Sequence, residues 1–305
     1  MEQNKIFSRN THNRQWKEKI IPVLLFLCAI ISVVTTLGIV ITLIKETLAF
    51  FEEVPIKEFF MADQWTALFS GEQQKFGIRP LISGTLLVTV GAAVVAIPIG
   101  LASAIYLSEY ASDRVRKVVK PILEVLAGIP TIVYGFFAIT FITPLLQKIF
   151  PDISFFNALS ASIAVGIMII PMIASLSEDA MSAVPNSIRE AAYGLGSTRL
   201  EVTWKVVVPA AISGIISSFV LALSRAIGET MIVTIAAGAT PNLTLNPLES
   251  IQTMTAYIVQ AAFGDISYDS IEYRSIYAVG FTLFLFTLVM NLIAQYIARK
   301  YREEY

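Results

Sequence analysis

The feature that most constrains this chain is a series of long stretches without a charged residue. Charges collect in short clusters, and the stretches between them run for about 19 to 29 residues, close to the roughly 20 apolar helical residues that cross a bilayer core. Only 15% of the residues are charged, against about 25% in an ordinary soluble domain. A water-soluble chain of 305 residues needs a larger charged surface. The pattern excludes a soluble enzyme, a nucleic-acid-binding protein and a disordered chain, and it predicts an all-α membrane protein.

The uncharged stretches predict six transmembrane helices. These cover residues 20–44, 80–108, about 118–147, 153–177, about 206–237 and 275–298. Each stretch is continuous, whereas a transmembrane β-barrel shows segments of about ten residues that alternate between apolar and polar. Residues 20–44 exceed the apolar segment of a signal peptide and show no small-residue cleavage site, so we expect a retained helix. Two stretches contain internal charges, namely Glu124 in the third and Arg225 and Glu229 in the fifth.

The distribution of lysine and arginine predicts the orientation in the membrane. The two terminal tails, the second loop and the fourth loop together hold 15 of the 22 basic residues. Basic residues concentrate on the cytoplasmic side of membrane proteins, so both termini are expected in the cytoplasm. The predicted parts are a cytoplasmic tail 1–19, a first transmembrane helix 20–44, an external loop 45–79, a five-helix core 80–298 with a cytoplasmic loop 178–209 and an external loop 238–274, and a cytoplasmic tail 299–305.

The counts of cysteine and histidine exclude several kinds of chemistry. Cys28 is the only cysteine and lies in an apolar stretch, so an intrachain disulfide or a cysteine metal cluster is impossible. His12 is the only histidine and lies in the polar N-terminal tail. Nucleophilic catalysis within the membrane then lacks its usual base. We therefore expect no metal site, no cofactor and no hydrolase activity.

The first external loop contains aromatic residues among acidic ones. Two interpretations remain open, a helix lying on the outer membrane surface or an ordinary packed loop. The aromatic residues concerned are Phe50, Phe51, Phe59, Phe60 and Trp65.

The cytoplasmic loop 178–209 contains helix start and stop signals at close spacing. Asn186 or Ser187 is a candidate N-cap for a first short helix. Gly196 can adopt the left-handed conformation that ends such a helix. Thr198 and Glu201 have the spacing of a capping box, which opens a second helix. The loop is therefore predicted to form two short helices, at an angle to each other, on the cytoplasmic face.

The same loop resembles a known family of membrane proteins. Glu190-Ala191-Ala192, then Gly196, then Val206, Val208 and Pro209 resemble the EAA-x3-G-x9-I-x-L-P pattern of ABC importer permeases, with valine at both hydrophobic positions. The resemblance implies a type I permease bundle whose coupling helix docks in a groove of the ATPase subunit. It also implies that coupling to the ATPase depends on Glu190, Ala191, Ala192, Gly196 and Pro209. The alternative is a pair of surface helices that packs only on its own chain.

No nucleotide-binding loop accompanies this pattern. The chain lacks the sequence G-x-x-x-x-G-K-[ST], and Gly194 and Gly196 are followed by Ser-Thr-Arg without the lysine. We therefore expect no ATP hydrolysis by this chain, and the energy for transport must come from a partner.

Three further segments narrow the resemblance. Residues 80–86, 123–135 and 224–231 are similar to phosphate importer permeases, and the first external loop is more similar to the PstC type. The resemblance implies phosphate as substrate and a multi-pass location, in contact with lipid, in a bacterial or archaeal cell (inner) membrane. It also implies a second homologous permease, two ATP-binding cassette subunits and an extracytoplasmic phosphate-binding protein as partners. Alternatives are a permease for molybdate, sulfate or phosphonate, and an ion-coupled secondary transporter that uses Glu124 and Glu229.

The charges within the predicted helices are candidates for the substrate pathway. Arg225 and Glu229 are four residues apart, which places them on one face of a continuous helix. A charge in the membrane should face the bundle interior or water. Either Arg225 offers its N–H groups to a passing oxyanion, or it pairs with Glu229 or Glu124 and fixes helix packing. Glu124 is either a gate residue or an interfacial carboxylate held by Lys120.

Overall fold

The computed structural model describes residues 11–69 and 71–300. The described part is almost entirely helical and has no β-strand, which confirms the predicted all-α fold. Four helices are long and apolar enough to cross a membrane: Ile20–Glu53, Arg79–Tyr110, Ala158–Ser182 and Ile271–Ile297. Two bent helix pairs raise this number to six if each pair is one span. The predicted tails lie largely outside the described residues, and the cytoplasmic position of both termini stays a prediction.

The described residues of the first half of the chain form six α-helices. They are α1 Thr11–Glu53, α2 Ile56–Met61, α3 Arg79–Ile105, α4 Asp113–Ala127, α5 Thr131–Phe137 and α6 Thr143–Gln147. A short 3-10 turn, Gly71–Gln73, precedes α3. A π-helical turn, Tyr106–Tyr110, extends α3, and a second one, Ala138–Ile142, joins α5 to α6.

The second half forms eight α-helices up to residue 300, where the described part ends. They are α7 Ala158–Ser182, α8 Asn186–Gly194, α9 Arg199–Val202, α10 Val208–Ala210, α11 Ile212–Ile227, α12 Met231–Ala236, α13 Met254–Ala262 and α14 Ile271–Lys300. A π-helical turn, Thr203–Val207, joins α9 to α10.

The third and fifth predicted spans are bent rather than straight. The axis turns by 86° between α4 and the α5–α6 segment, and by 69° between the α9–α10 segment and α11. The first bend lies at Gly128–Pro130, where Ile129 precedes a proline and is disfavoured in the helical region. The second bend follows Pro209 and lies at Ala211, whose backbone leaves the helical conformation with φ −92° and ψ 2°. A further break at residues 228–230 separates α11 from α12, so the prediction of one helix over 206–237 is wrong.

The central contact of the bundle is the long packing of α3 against α7. Glycines allow the two backbones to approach closely, as is usual where membrane helices meet. A methyl group at Gly100 would lie 2.7 Å from Cγ2 of Ile173, and one at Gly166 would lie 2.9 Å from Cβ of Val95. On its other side α7 packs against α11, and a 2.7 Å hydrogen bond joins the hydroxyl groups of Ser177 and Ser218.

The loop 45–79, which is predicted to be external, is packed rather than spread over a surface. Phe50, Phe59, Trp65 and Phe76 are buried, and their rings meet edge to face. Trp65 also meets the buried Tyr257 of α13, with ring centroids 4.8 Å apart. Of the two interpretations, the structure therefore supports a packed loop, with α2 folded into the same cluster.

Candidate functional site

In the loop 178–209, which is predicted to be cytoplasmic, a proline occupies the capping position of the first short helix. Pro185 precedes α8 with an extended backbone, and its carbonyl accepts a 3.2 Å hydrogen bond from the Ile188 N–H. Asn186 is the first helical residue, so the prediction that Asn186 or Ser187 caps the helix is wrong. The physical reason is that the fixed φ of proline already suits a helix start. The Asn186 side chain instead accepts a 3.2 Å hydrogen bond from Arg189.

The turn between the two loop helices matches its prediction. Gly196 has φ +86°, which is the left-handed conformation expected of it. Its N–H donates to Tyr193 O at 2.9 Å, and the Ser197 N–H donates to Ala192 O at 3.2 Å. These bonds satisfy carbonyls at the end of α8 that have no partner within the helix.

The second loop helix opens with the predicted capping box. Thr198 Oγ1 accepts from the Glu201 N–H at 3.3 Å, and Glu201 Oε2 accepts from the Thr198 N–H at 3.0 Å. The bond from the Thr198 backbone, together with nearby Lys205, lowers the pKa of Glu201 to about 2. Glu201 is therefore a carboxylate at neutral pH, which stabilises the start of a helix.

Part of the apolar surface of the loop is exposed, while Val202 and Val207 are buried against the rest of the chain. No residue of α8 is buried, and Glu190 and Ala191 are exposed while Ala192 is half-buried. Pro209 is exposed beyond the second helix. Large apolar side chains in the loop are also exposed, namely Tyr193, Leu195, Leu200 and Trp204. An exposed apolar patch of this kind marks an interaction surface.

A buried ion pair joins α8 to the end of α3. The Arg189 guanidinium contacts Oε1 of Glu109 at 3.2 Å, and the two side chains are 14% and 5% exposed. Arg189 also donates to Met181 O at 2.8 Å and to Val184 O. Sequence reasoning missed this contact because Glu109 is 80 positions away, and the only signal was a carboxylate closing an apolar stretch.

A second ionic cluster joins α4 to the end of α7. Glu178 is fully buried and accepts from Arg116, and Lys120 Nζ lies 2.9 Å from its other oxygen. Lys120 also contacts Asp179 at 2.6 Å. The interpretation that Lys120 holds Glu124 is therefore wrong, because α7 supplies closer carboxylates. In the described part of the chain, no group of three His, Cys, Asp or Glu side chains is placed to hold a metal ion.

The three candidate pathway residues are not paired with one another. Arg225 is exposed in the last turn of α11, and Glu124 is exposed on α4. Glu229 is buried within the break at residues 228–230, where its Oε1 accepts a 3.1 Å bond from the Ile232 N–H of α12. Because α11 ends at Ile227, the prediction of one shared helical face for Arg225 and Glu229 is wrong. No ion pair to Arg225 is present among the described residues.

The break between α11 and α12 is held by the surrounding helices. Thr255 Oγ1 of α13 donates to Glu229 O at 2.7 Å. The N–H of the preceding residue, Met254, donates to Thr85 Oγ1 of α3 at 3.0 Å. Arg225 lies in the last turn of α11, directly before this break. The arrangement presents a guanidinium beside non-helical backbone, which membrane proteins tolerate only inside protein or beside water.

Comparisons with known proteins agree on one family. A family profile described as "Binding-protein-dependent transport system inner membrane component" matches residues 96–303. The "Probable ABC transporter permease protein YqgH" of Bacillus subtilis is 33% identical, over 94% of this chain and 93% of that protein. The "Phosphate transport system permease protein PstC" of Pasteurella multocida is 34% identical, over 76% and 77%. A solved bacterial alginate ABC transporter, in complex with a periplasmic protein, shares the fold with TM-score 0.64 at 18% identity, over 95% and 99%.

Proposed function

Because the chain belongs to the family of binding-protein-dependent transport system inner membrane components, the permease subunits of ABC importers, we propose that its substrate is phosphate. In this proposal it forms half of a translocation pathway, and a second permease forms the other half. Two ATP-binding cassette subunits drive the cycle, and an extracytoplasmic phosphate-binding protein delivers the substrate. The similarity to relatives named as phosphate permeases of the PstC type supports this assignment.

The observation that supports the proposed coupling is the exposure of side chains in the loop formed by α8 and α9. Its Glu190 and Ala191 are exposed, and the almost fully exposed Leu195 follows them. A soluble surface rarely leaves such apolar side chains uncovered unless a partner covers them. The proposed partner is the ATPase subunit, whose closure would move α8 against the ends of the bundle helices.

Arg225 supports the choice of an anionic substrate. Its side chain is exposed in the last turn of α11, next to the break at residues 228–230, and it forms no ion pair among the described residues. A guanidinium presents several N–H donors in a plane, which fits the oxygens of a phosphate group. Glu229 forms no ion pair with it among the described residues, and its carboxylate accepts a hydrogen bond at the start of α12 instead. The role proposed for Arg225 is therefore to bind the passing oxyanion weakly, since an ion must also leave.

The test is reconstitution with the candidate ATPase, second permease and binding protein in lipid vesicles. We expect uptake of labelled phosphate that requires ATP and is blocked by vanadate, and we expect Glu190→Lys to abolish it. Arg225→Gln should reduce uptake about tenfold or more, since hydrogen bonds to charged groups contribute about 1.5–3 kcal/mol. Arg225→Lys should fall between, and Lys148→Gln, an exposed control, should match wild type.

Two results would overturn parts of the proposal. Uptake that proceeds without ATP would remove the ABC mechanism and favour an ion-coupled transporter. Uptake that molybdate, sulfate or a phosphonate supports better than phosphate would assign another oxyanion. The second outcome is included because the Bacillus subtilis relative is named as a permease without a substrate.

A further inference from the structure

We propose that Arg189 is a positioning residue that clamps the coupling loop to the inner ends of α3 and α7. This inference rests on the proposed function, in which α8 receives the movement of the ATPase. Without such a clamp, α8 would be free to tilt when it is pushed, and the movement would be lost in the loop. With the clamp, α8 and the ends of the two central helices move together.

The geometry of Arg189 supports this role. Its guanidinium donates to Met181 O at 2.8 Å in the last turn of α7, and to Val184 O in the link that follows. It also donates to Glu109 Oε1 at 3.2 Å, in the π-helical turn that extends α3. Arg189 is therefore bonded to the end of α7, to the link that follows it and to the extension of α3, in addition to its 3.2 Å bond to Asn186 within α8.

The chemistry requires arginine rather than any cation. The fork of a guanidinium can donate in several fixed directions at once, whereas a lysine ammonium acts as a compact point charge on a flexible stem. The carbonyls at the end of α7 favour a cation, because the C-terminal end of a helix carries partial negative charge. Glu109 is buried, and the Ser108 hydroxyl, at 2.9 Å, is its other hydrogen-bond partner. Loss of Arg189 would leave a buried carboxylate without a countercharge, which is strongly unfavourable.

The clamp leads directly into the packed centre of the bundle. α3 and α7 form the most extensive helix contact in the described chain, and glycines on both helices allow their backbones to approach closely. The remaining attachment of α8 is apolar, through half-buried Ile188 and Ala192, which pack against a cluster that includes Met181 and Val184. Apolar contacts are non-directional, so the directional constraint on α8 comes from Arg189.

The experiment compares Arg189→Gln, Arg189→Lys and Glu109→Gln with wild type. A matched control is Lys205→Gln, which removes the exposed pair between Lys205, in the π-helical turn after α9, and Glu201 of α9. The first readout is hydrogen–deuterium exchange of residues 186–194 in the purified full-length chain. The second is phosphate transported per ATP hydrolysed in the reconstituted complex, with the ATPase that co-purifies measured in parallel.

We expect faster exchange over residues 186–194 in Arg189→Gln and Glu109→Gln. Phosphate transported per ATP should fall about tenfold, while ATPase association and ATP hydrolysis stay within twofold of wild type. Arg189→Lys should recover only part of the loss. Glu109→Gln keeps both carbonyl contacts of Arg189, so it tests the clamp even if Arg189→Gln fails to insert.

Three results would overturn the clamp. These are unchanged exchange over residues 186–194, full recovery with Arg189→Lys, or loss of ATPase association in proportion to the loss of transport. A wild-type complex without ATP-dependent uptake would instead remove the proposed function. In that case the exchange measurement still decides whether Arg189 holds α8.

Discussion

Replacing Gly196 by alanine tests the backbone conformation of the proposed coupling loop, residues 178–209, without changing its side-chain contacts. Gly196 has φ +86°, and no atom lies within 4 Å of the position that a Cβ would occupy. The substitution therefore adds no steric clash with neighbouring residues. Its whole effect comes from forcing an L-residue into the left-handed region, which costs about 1–2 kcal/mol.

The chain supplies a matched control two residues earlier. Gly194 also has open space around its Cβ position, but it is the last residue of α8 and its φ lies outside the left-handed region. Alanine favours a helix over glycine by about 0.8–1.0 kcal/mol. Gly194→Ala should therefore be neutral or slightly stabilising, so the two variants differ in sign as well as size.

The magnitude follows from the population of the docking conformation. Exposed loops open at small free-energy cost, so 1–2 kcal/mol lowers the competent fraction by up to about 5- to 30-fold. The apparent Kd of the ATPase subunit for the permease pair should rise by the same factor in Gly196→Ala. Gly196→Asn should have a smaller effect, since asparagine tolerates the left-handed region better.

The assay is a binding titration of the purified ATPase subunit against the permease pair in lipid nanodiscs. ATP-dependent uptake in vesicles provides a second measurement of the same order of variants. The reasoning is refuted if Gly196→Ala binds as tightly as Gly194→Ala. It is also refuted if asparagine and alanine at position 196 weaken binding equally, because the effect would then not follow backbone conformation.

Two stability predictions follow from the packing of the bundle. Glu178→Ala removes the buried partner of Arg116 and Lys120, whose side chains are 37% and 30% exposed. The expected loss in the free energy of unfolding is about 2–3 kcal/mol, below the roughly 3–5 kcal/mol of fully buried pairs. Thermal unfolding should show a lower Tm than for Asp179→Ala, because the Asp179 side chain is 56% exposed. Gly166→Ala places a methyl group 3.1 Å from a backbone carbonyl of α3 and should lower the free energy of unfolding by about 1–3 kcal/mol. Gly38→Ala adds a methyl group in open space and should leave the Tm unchanged or raise it. Equal Tm values within either pair of variants would contradict the corresponding prediction.

Local signals in the sequence determined the fold class and the architecture of the coupling loop. Long uncharged stretches give helices because a lipid-exposed backbone must satisfy its own hydrogen bonds. Gly196 and the Thr198–Glu201 box were readable because each depends on residues within a few positions. The family pattern around Glu190 is equally local, since it spans one loop.

Only the tertiary structure decided where the helices break and which charges meet. The bend at Gly128–Pro130 and the break after Ile227 lie within stretches that are apolar enough to span a membrane. Hydropathy depends on composition alone, so it does not report a change in the direction of the helix axis. Glu109 pairs with Arg189, which is 80 positions away in the sequence. Glu178 pairs with Lys120, which is 58 positions away. A charge at a helix end has many possible partners in the sequence, and packing selects among them by distance and burial. The sequence therefore specifies which groups need partners, and the three-dimensional arrangement of α3, α4 and α7 supplies them.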